Sequence, residues 1–186
     1  MRFTAAPLSG AFVVDIEPHA DMRGFFARTW CQREFREHGL ETELVQMSIS
    51  RNEKRGTVRG MHLQLPPSRE SKLVRAERGS IYDVIIDLRP ESPTYLQHFG
   101  VELSSQRHNA LYIPPGFAHG FQTLEDQSEV LYQMSDFHAP ELGFGFRWDD
   151  PAFDIRWPSS HGITIVPRDA GYPDFNRAEY ESRRAA

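Results

Sequence analysis

The sequence has only one cysteine, no excess of positive charge and no long apolar run. Because Cys31 has no second cysteine to pair with, an internal disulfide framework and a zinc site built on several cysteines are both excluded. The net charge of −5 argues against non-specific nucleic-acid binding, which needs a positive field, but leaves room for a small anionic ligand held by local cations. No stretch of about 18 apolar residues offers a membrane span, and the run AFVV is too short for a signal peptide core. We therefore expect a soluble cytoplasmic protein that binds neither nucleic acid nor membrane.

The pattern of apolar residues predicts a single all-β domain over residues 1–186. Thirteen Phe, thirteen Pro and thirteen Gly favour many short strands over a helical bundle. A period of two, interrupted by Gly and Pro clusters, predicts strands at 43–50, 57–64, 72–77, 80–88, 95–103, 110–114 and 129–135. One helix is predicted over 30–38, ended by Gly39. Strand spacings of about ten residues indicate a sandwich or small barrel, and the tail at about 149–186 is expected to be irregular and to wrap back.

Strand parity raises two questions about polar residues inside predicted strands. In SIYDVIIDL, Asp83 and Asp87 share one face, and on the residues alone we expect that face to meet solvent because unpaired Asp is rarely buried. In VRGMHLQ, strict alternation places Arg59 and His62 on opposite faces. If both contact one ligand, Gly60 must permit a bulge or twist in the strand.

Three interpretations of the histidines compete at this level. The run PPGFAH, which ends in His119, resembles the second half-motif of metal-binding cupin barrels, but the place of their H-x-H motif reads His62-Leu63-Gln64. Glutamine is a poor transition-metal ligand, and two histidines do not complete a three-ligand open site. Buried core histidines are the second interpretation, and a general base supported by a carboxylate and a cation is the third.

Six separated runs together resemble the nucleotide-sugar 3,5-epimerase family typified by dTDP-4-dehydrorhamnose 3,5-epimerase: DMRGFFARTW, SRNEKRGTVRGMHLQ, SKLVRAERGSIYDVIIDLRPESPTY, LYIPPGFAHGFQTLED, EVLYQMSDFHAP and GFRWDDPAFDIRWP. The resemblance covers roughly residues 15–175. It implies a cupin-like jelly roll, an antiparallel double-stranded β-helix with short peripheral helices, that needs neither metal nor organic cofactor. It also implies a nucleotide-linked 4-keto-6-deoxyhexose as substrate, and a homodimer in which an N-terminal segment at about 1–50 is exchanged so that active sites are shared.

The resemblance assigns four catalytic roles. His62 of RGMHLQ corresponds to the family's base, and Asp169 of VPRDAGYPDF to the carboxylate that orients it and stabilises the imidazolium. Lys72 of SKLVR corresponds to the lysine that stabilises the enolate oxygen as an oxyanion hole does. Tyr132 of LYQM corresponds to the acid that returns a proton from the opposite face, since a phenol with a pKa near 10 can protonate a basic enolate.

Eight further positions correspond to substrate-binding residues, spread along the chain: Arg23, Phe26, Gln46, Ser48, Arg59, Asp83, His119 and His138. Arg59 would bind the diphosphate through bidentate, charge-assisted hydrogen bonds. Arg23 and Phe26 would reach into the neighbouring subunit's site. Asp83 would be a cavity-lining acid, which reverses the solvent interpretation of its strand face.

The chain departs from the family pattern at three places. Ser48 stands where the family usually has Asn, and Arg28 stands where it usually has a carboxylate, so the nucleobase is left open. Phe137-His138 replaces a pair of aromatics that ends in Tyr, so epimerisation at one carbon is an alternative to epimerisation at two. Two further hypotheses are a 3,4-ketoisomerase, which uses two facing histidines, and a cupin-like domain that only binds a sugar nucleotide.

Overall fold

A computed structural model describes residues 1–185 and shows in them thirteen β-strands and three short α-helices. The strands are β1 (Arg2–Ala5), β2 (Phe12–Asp15), β3 (His19–Asp21), β4 (Gly24–Phe26), β5 (Gln46–Asn52), β6 (Val58–Gln64), β7 (Lys72–Arg78), β8 (Ser80–Asp87), β9 (His98–Ser104), β10 (Ala110–Ile113), β11 (Phe117–Thr123), β12 (Ser128–Met134) and β13 (Gly143–Gly145). The helices are α1 (Gln32–Glu37), α2 (Pro167–Ala170) and α3 (Arg177–Ala185), with a 3-10 turn at Pro140–Leu142. Within residues 1–185, no helix combines the length and the apolarity that crossing a bilayer requires.

Two antiparallel sheets form the body of the molecule. The first has six strands in the order β1-β2-β10-β7-β12-β5, the second has five in the order β13-β6-β11-β8-β9, and β3 and β4 form a separate hairpin. Strands that follow each other in sequence often lie in different sheets, so β7 pairs with β10 and β12 while β8 pairs with β9 and β11. This crossing between two sheets is the jelly-roll arrangement, and the predicted all-β, cupin-like fold is confirmed.

The main core lies between the two sheets, where side chains from both meet. Ile81 and Ile85 of β8 are fully buried with Val74 of β7 and Leu111 of β10, and Phe121 of β11 closes the cluster. Fully burying a side chain of this size contributes about 1.5–3 kcal/mol. The two sheets are therefore held face to face by the alternate residues that the period-two pattern identifies.

Asp83 and Asp87 point into this interior, so the expectation from residues alone that their face meets solvent is wrong. Both are fully buried, because their face of β8 is the one that turns towards the six-stranded sheet. Each carboxylate has partners that the strand pattern does not reveal. Asp87 accepts hydrogen bonds from the Arg89 guanidinium at 2.7 Å, the Ser92 hydroxyl at 2.5 Å and the Thr94 hydroxyl at 2.7 Å.

The C-terminal tail, expected to be irregular, contains α2 and α3 and packs on the outer face of the five-stranded sheet. Phe146 and Phe153 stack at 4.9 Å between centroids, and Phe175 contacts both. Tyr180 of α3 is buried, and its hydroxyl donates a hydrogen bond of 2.7 Å to the Leu88 carbonyl. This packing carries α2 to the open end of the barrel.

Candidate active site

A cleft of about 1240 Å³ opens between the two sheets, with walls from β5, β6, β7, β11 and β12 and from α2. The four residues assigned catalytic roles, His62, Lys72, Tyr132 and Asp169, all line it. His62 comes from the five-stranded sheet, whereas Lys72 and Tyr132 come from the six-stranded sheet. The imidazole and the phenol therefore reach the cleft from different walls.

A bulge in β6 brings Arg59 and His62 into the same cleft. His62 pairs with His119 of β11, and Arg59 pairs with Phe121. Arg59 and His62 are three residues apart on β6, but their partners are only two residues apart on β11, so β6 contains one extra residue. The extra residue changes the alternation of faces at Gly60. Gly60 has φ of +133°, and a Cβ there would lie 2.5 Å from the Cα of Gly120. Only glycine satisfies both conditions, and the bulge predicted at this position is present.

His62 and Asp169 form a hydrogen-bonded pair. The His62 Nε2 lies 3.0 Å from the Asp169 Oδ1, so an imidazole that donates from Nε2 keeps Nδ1 as its proton acceptor. Asp169 is itself held by the Gly60 backbone N–H at 3.3 Å and the Arg168 guanidinium at 3.0 Å. The His62 side chain is 37% exposed and that of Asp169 is 2% exposed, so the imidazole meets the cleft while the carboxylate lies behind it.

Asp169 stays ionised at any physiological pH. Its burial by itself would raise the pKa, but the hydrogen bond and charge of His62, together with Arg168 and the Gly60 N–H, outweigh it and lower the pKa to about 2. A fixed negative charge behind the imidazole stabilises the imidazolium that forms when His62 accepts a proton. The pair therefore has the properties of a general base.

The ammonium of Lys72 is paired with a carboxylate that our sequence analysis does not single out. Lys72 Nζ donates a short hydrogen bond to Glu70 Oε2, with side-chain exposures of 16% and 7%. Both side chains line the cleft. Lys72 has three N–H donors, so this pairing leaves donors for an oxygen atom in the cleft.

Tyr132 faces the cleft from β12, with its ring edge-to-face with His119 at 6.1 Å between centroids. Burial and then the charge of Asp83 raise the pKa of the Tyr132 phenol well above its ordinary value of 10, and the Ser50 hydroxyl and Arg59 offset this only in part. The phenol therefore stays protonated at neutral pH. It is a proton donor that gives up its proton only to a strong base such as an enolate.

The resemblance would place Asp83 in the lining of the cleft. In the structure it is instead fully buried behind His119 and does not line the cleft. His119 Nε2 lies 2.7 Å from Asp83 Oδ1. Burial raises the pKa of Asp83 despite the opposing effect of His119. Its Oδ2 is buried and has no hydrogen-bond partner among residues 1–185. Asp83 thus acts on the site through His119 and through its field at the Tyr132 phenol.

Arg59, Gln46 and Ser48 all line the cleft, but Arg59 lies beside Asn52 at the C-terminal end of β5, whereas Gln46 begins that strand and contacts the His138 loop. The Arg59 Nε donates to the Asn52 Oδ1 at 2.8 Å and its Nη2 to the Arg51 carbonyl at 3.5 Å, which holds the guanidinium at the wall of the cleft. Asn52, on the preceding strand β5 of the other sheet, is only 2% exposed. The positive charge here is fixed in place before any anion binds.

His138 lies at the rim, and its loop is fixed by two glutamines. Its backbone N–H donates to Gln46 Oε1 at 3.0 Å. Gln64 Oε1 accepts from the Ala139 N–H at 2.6 Å, and Gln64 Nε2 donates to the Phe137 carbonyl at 3.2 Å. The glutamine that replaces the second histidine of the H-x-H motif thus anchors this loop. Within residues 1–185, no group of three His, Cys, Asp or Glu is arranged to hold a metal ion.

Arg23 and Phe26 are not brought to the cleft of their own chain. They lie on the β3–β4 hairpin, where Arg23 pairs with Asp21 and its side chain is 85% exposed. Phe26 is 79% exposed, and Met22 between the two strands is fully exposed. The structure of one chain leaves this hairpin projecting from the barrel.

Three residues that line the cleft are not identified from the sequence: Glu70, Asn52 and Tyr172. The ring of Tyr172 stands edge-to-face with His62 at 6.0 Å between centroids, but it belongs to the tail, where no period predicts which side chains turn inward. Glu70 could have been found, because residues two apart in an extended segment share a face, and Glu70 precedes Lys72 by two.

A proton acceptor and a proton donor on different walls of one cleft can remove a hydrogen from one side of a carbon and return another from the opposite side. The fold and the site therefore define a cupin-like isomerase of the epimerase class. The family model described as dTDP-4-dehydrorhamnose 3,5-epimerase matches residues 5–177, and the chain belongs to this family.

Individual relatives agree with this assignment. The dTDP-4-dehydrorhamnose 3,5-epimerase of Methanothermobacter thermautotrophicus is 42% identical over 157 residues, which is 84% of each chain. The solved structure of the corresponding enzyme from Elizabethkingia anophelis NUHP1 superposes with a TM-score of 0.91 at 30% identity, covering 94% of this chain and 96% of that one. The Legionella pneumophila dTDP-6-deoxy-D-glucose-3,5-epimerase, solved in complex with dTDP-4-keto-L-rhamnose, has a TM-score of 0.86 at 31% identity and coverages of 92% and 90%.

Proposed function

We propose that this chain epimerises a dTDP-linked 4-keto-6-deoxyhexose at C3, C5 or both, in deoxysugar biosynthesis. The observation that carries the proposal is the 3.0 Å His62–Asp169 pair, which shares a cleft with Lys72 and Tyr132. The Legionella relative binds a dTDP-linked 4-keto sugar, and the fixed guanidinium of Arg59 suits the diphosphate of such a ligand.

The reaction needs only a proton cycle. Nδ1 of His62 accepts the hydrogen next to the 4-keto group, and the C–H electron pair moves into the carbonyl to form an enolate. Asp169 stabilises the imidazolium, and the Lys72 ammonium stabilises the enolate oxygen. Tyr132 then gives its proton to the same carbon from the opposite face. One C–H bond breaks, one forms with inverted configuration, and no atom is oxidised or reduced.

The test is solvent deuterium exchange with dTDP-4-keto-6-deoxyglucose, followed by NMR. We expect deuterium at C3, at C5 or at both, and an inverted product. Changing His62→Ala should abolish the exchange, while His161→Ala, an exposed histidine of the tail, should leave it unchanged. No exchange across a panel of nucleotide 4-keto sugars would refute the function, and a product whose carbonyl has moved to C3 would identify a 3,4-ketoisomerase instead.

We further propose that the chain is a single domain that works as a cytoplasmic homodimer, with Arg23 and Phe26 of one subunit completing the nucleotide end of its partner's cleft. The exposure of three apolar side chains on one hairpin, Met22, Phe25 and Phe26, supports this, because exposed apolar patches mark interaction surfaces. Light scattering should give twice the chain mass, and fractionation of cells should place the protein in the cytoplasm.

Sharing of sites can be tested by complementation between two inactive variants. In a mixed dimer of His62→Ala and Arg23→Ala chains, one cleft has both defects and the other has none. Random assembly should then restore about a quarter of the normal activity. Coexpressed His62→Ala and Asp169→Ala chains should restore none, because each defect lies in the cleft of its own chain and both clefts of a mixed dimer are therefore defective. Absence of rescue in the first pair, with dimers formed, would contradict shared sites.

A further inference from the structure

The Glu70–Lys72 ion pair is enclosed in the wall of the cleft. Glu70 Oε2 accepts the Lys72 ammonium, and the two side chains are only 7% and 16% exposed. Both line the same cleft as His62 and Tyr132. An exposed pair of this kind contributes little and moves freely, whereas this one is largely shielded from solvent and faces the reacting groups.

The backbone around Glu70 is fixed by the end of β12. The Glu70 N–H donates to Ser68 Oγ at 3.2 Å, and Ser68 Oγ donates to Asp136 Oδ2 at 2.9 Å. The Ser71 N–H donates to Ser135 Oγ at 2.8 Å. The carboxylate is thus carried by a segment that is tied to the neighbouring strand on both sides, and it has little freedom to follow a moving lysine.

A lysine side chain by itself is a poor device for holding a charge at one point. It is a flexible four-carbon stem with a compact ammonium and three rotatable donors. Stabilisation of a developing negative charge depends on donors that are already in position before the charge appears. A carboxylate that takes one N–H of Lys72 restricts the directions of the other two.

We propose that Glu70 is a positioning residue for Lys72: its carboxylate holds the ammonium in the cleft wall so that the remaining N–H groups point at the substrate's carbonyl oxygen. The inference rests on the proposed function, because the oxygen in question is the one that becomes an enolate. It assigns to Glu70 an effect on the chemical step and not on nucleotide binding, which takes place at the Arg59 end of the cleft.

Glu70→Gln, which keeps the size and removes the charge, is expected to lower kcat about tenfold, with KM changed by less than about twofold. The matched control is Glu77→Gln. Glu77 lies on the same strand as Lys72, pairs with Arg75 two residues away at 3.0 Å and is 44% exposed, so its loss should not change kcat.

A double-mutant cycle separates positioning from direct action on the sugar. If Glu70 acts through Lys72, adding Glu70→Gln to Lys72→Met should cost less than about twofold beyond Lys72→Met alone. Losses that multiply would overturn the proposal, because they would mean that Glu70 acts independently of the lysine. A wild-type kcat in Glu70→Gln would overturn it as well.

A readout that needs no turnover keeps this inference distinct from the proposed function. The chain has only two lysines, Lys54 and Lys72, so acetylation by acetic anhydride can be followed on each by peptide mass spectrometry. In Glu70→Gln, Lys72 should react several-fold faster relative to Lys54, because its ammonium has lost its partner. An unchanged ratio would overturn the positioning role. Failure of the wild-type enzyme to exchange deuterium would refute the proposed function, while the labelling ratio would still decide whether Glu70 holds Lys72.

Discussion

Replacing Asp169 by Asn tests the central pair of the site most directly, because the two side chains have the same shape and differ in charge. Asp169 is almost fully buried and accepts hydrogen bonds from His62, the Gly60 N–H and Arg168. These interactions outweigh the effect of burial and lower the pKa from an ordinary value of 3.8 to about 2. A shift of this size corresponds to about 2–3 kcal/mol of stabilisation of the ionised form.

The sign of the pH dependence follows from the direction of the shift. A carboxyl whose pKa is lower in the folded state stabilises the fold above its unfolded pKa of about 4 and loses that contribution as the pH falls towards 2. The free energy of unfolding of wild type should therefore exceed that of Asp169→Asn at pH values above about 5. That excess should shrink by roughly 2 kcal/mol as the pH falls from about 5 to 2.

The same substitution should slow catalysis, since the imidazolium of His62 loses the anion behind it. If most of the interaction acts on the imidazolium, kcat should fall by up to about 50-fold. Urea unfolding at several pH values and deuterium exchange at pH 7 measure the two effects. Asp174→Asn is the control, because Asp174 lies in the same tail, pairs with Arg147 and is 59% exposed. A stability difference that does not change with pH, or a kcat within about threefold of wild type, would refute the reasoning.

Two further predictions concern the bulge and the acid. Gly60→Ala should destabilise the fold by about 3 kcal/mol or more, measured as a lower Tm, because its Cβ would lie 2.5 Å from the Gly120 Cα at a φ of +133°. The control is Gly24→Ala, which has a similar φ of +131° but no atom within 4 Å of the added Cβ and should cost far less. Equal losses of stability in the two variants would contradict the packing argument. In Tyr132→Phe, the substrate should still exchange hydrogen for solvent deuterium, but with retention of configuration at the carbon and without accumulation of the epimer. The reason is that His62 can return a proton to the face from which it removed one. In wild type the raised pKa of Tyr132 should keep turnover from falling until the pH exceeds 10; an alkaline loss centred below pH 9 would contradict this assignment.

The apolar pattern and the turn signals predict most of the barrel strands, including β8, which is buried on both faces, but they miss β11. The predicted strand at 57–64 corresponds to β6, that at 72–77 to β7 and that at 80–88 to β8. β11, FAHGFQT, is also buried at every position, but it has a central Gly and lacks the β-branched run that marks β8 as a strand. The four short N-terminal strands contain too few residues to show a period.

The members of the candidate site are predicted by resemblance, and their arrangement is not. Parity alone places Asp83 towards solvent, since nothing in the sequence of β8 reveals that His119 of β11, two positions further along the ladder, reaches its carboxylate. The partners Glu70 and Asn52 depend on side-chain directions at strand ends. Tyr172 depends on how the tail folds back. Each of these is decided by contacts between residues far apart in the chain, which a local pattern does not contain.

The two His–Asp pairs of the barrel differ in the exposure of the imidazole and in the direction of the carboxyl pKa shift, and this difference favours His62 over His119 as the proposed base. Asp169 has a lowered pKa and remains an anion behind a half-exposed imidazole, so a proton that reaches His62 from the cleft is stabilised. Asp83 is sealed in the core behind His119, whose side chain is only 7% exposed, so a proton from the cleft reaches this second imidazole less readily. Burial and then the charge of Asp83 raise the pKa of the Tyr132 phenol, which keeps it protonated. In the proposed reaction, the first pair accepts the proton, and the second lies beside the phenol that returns one.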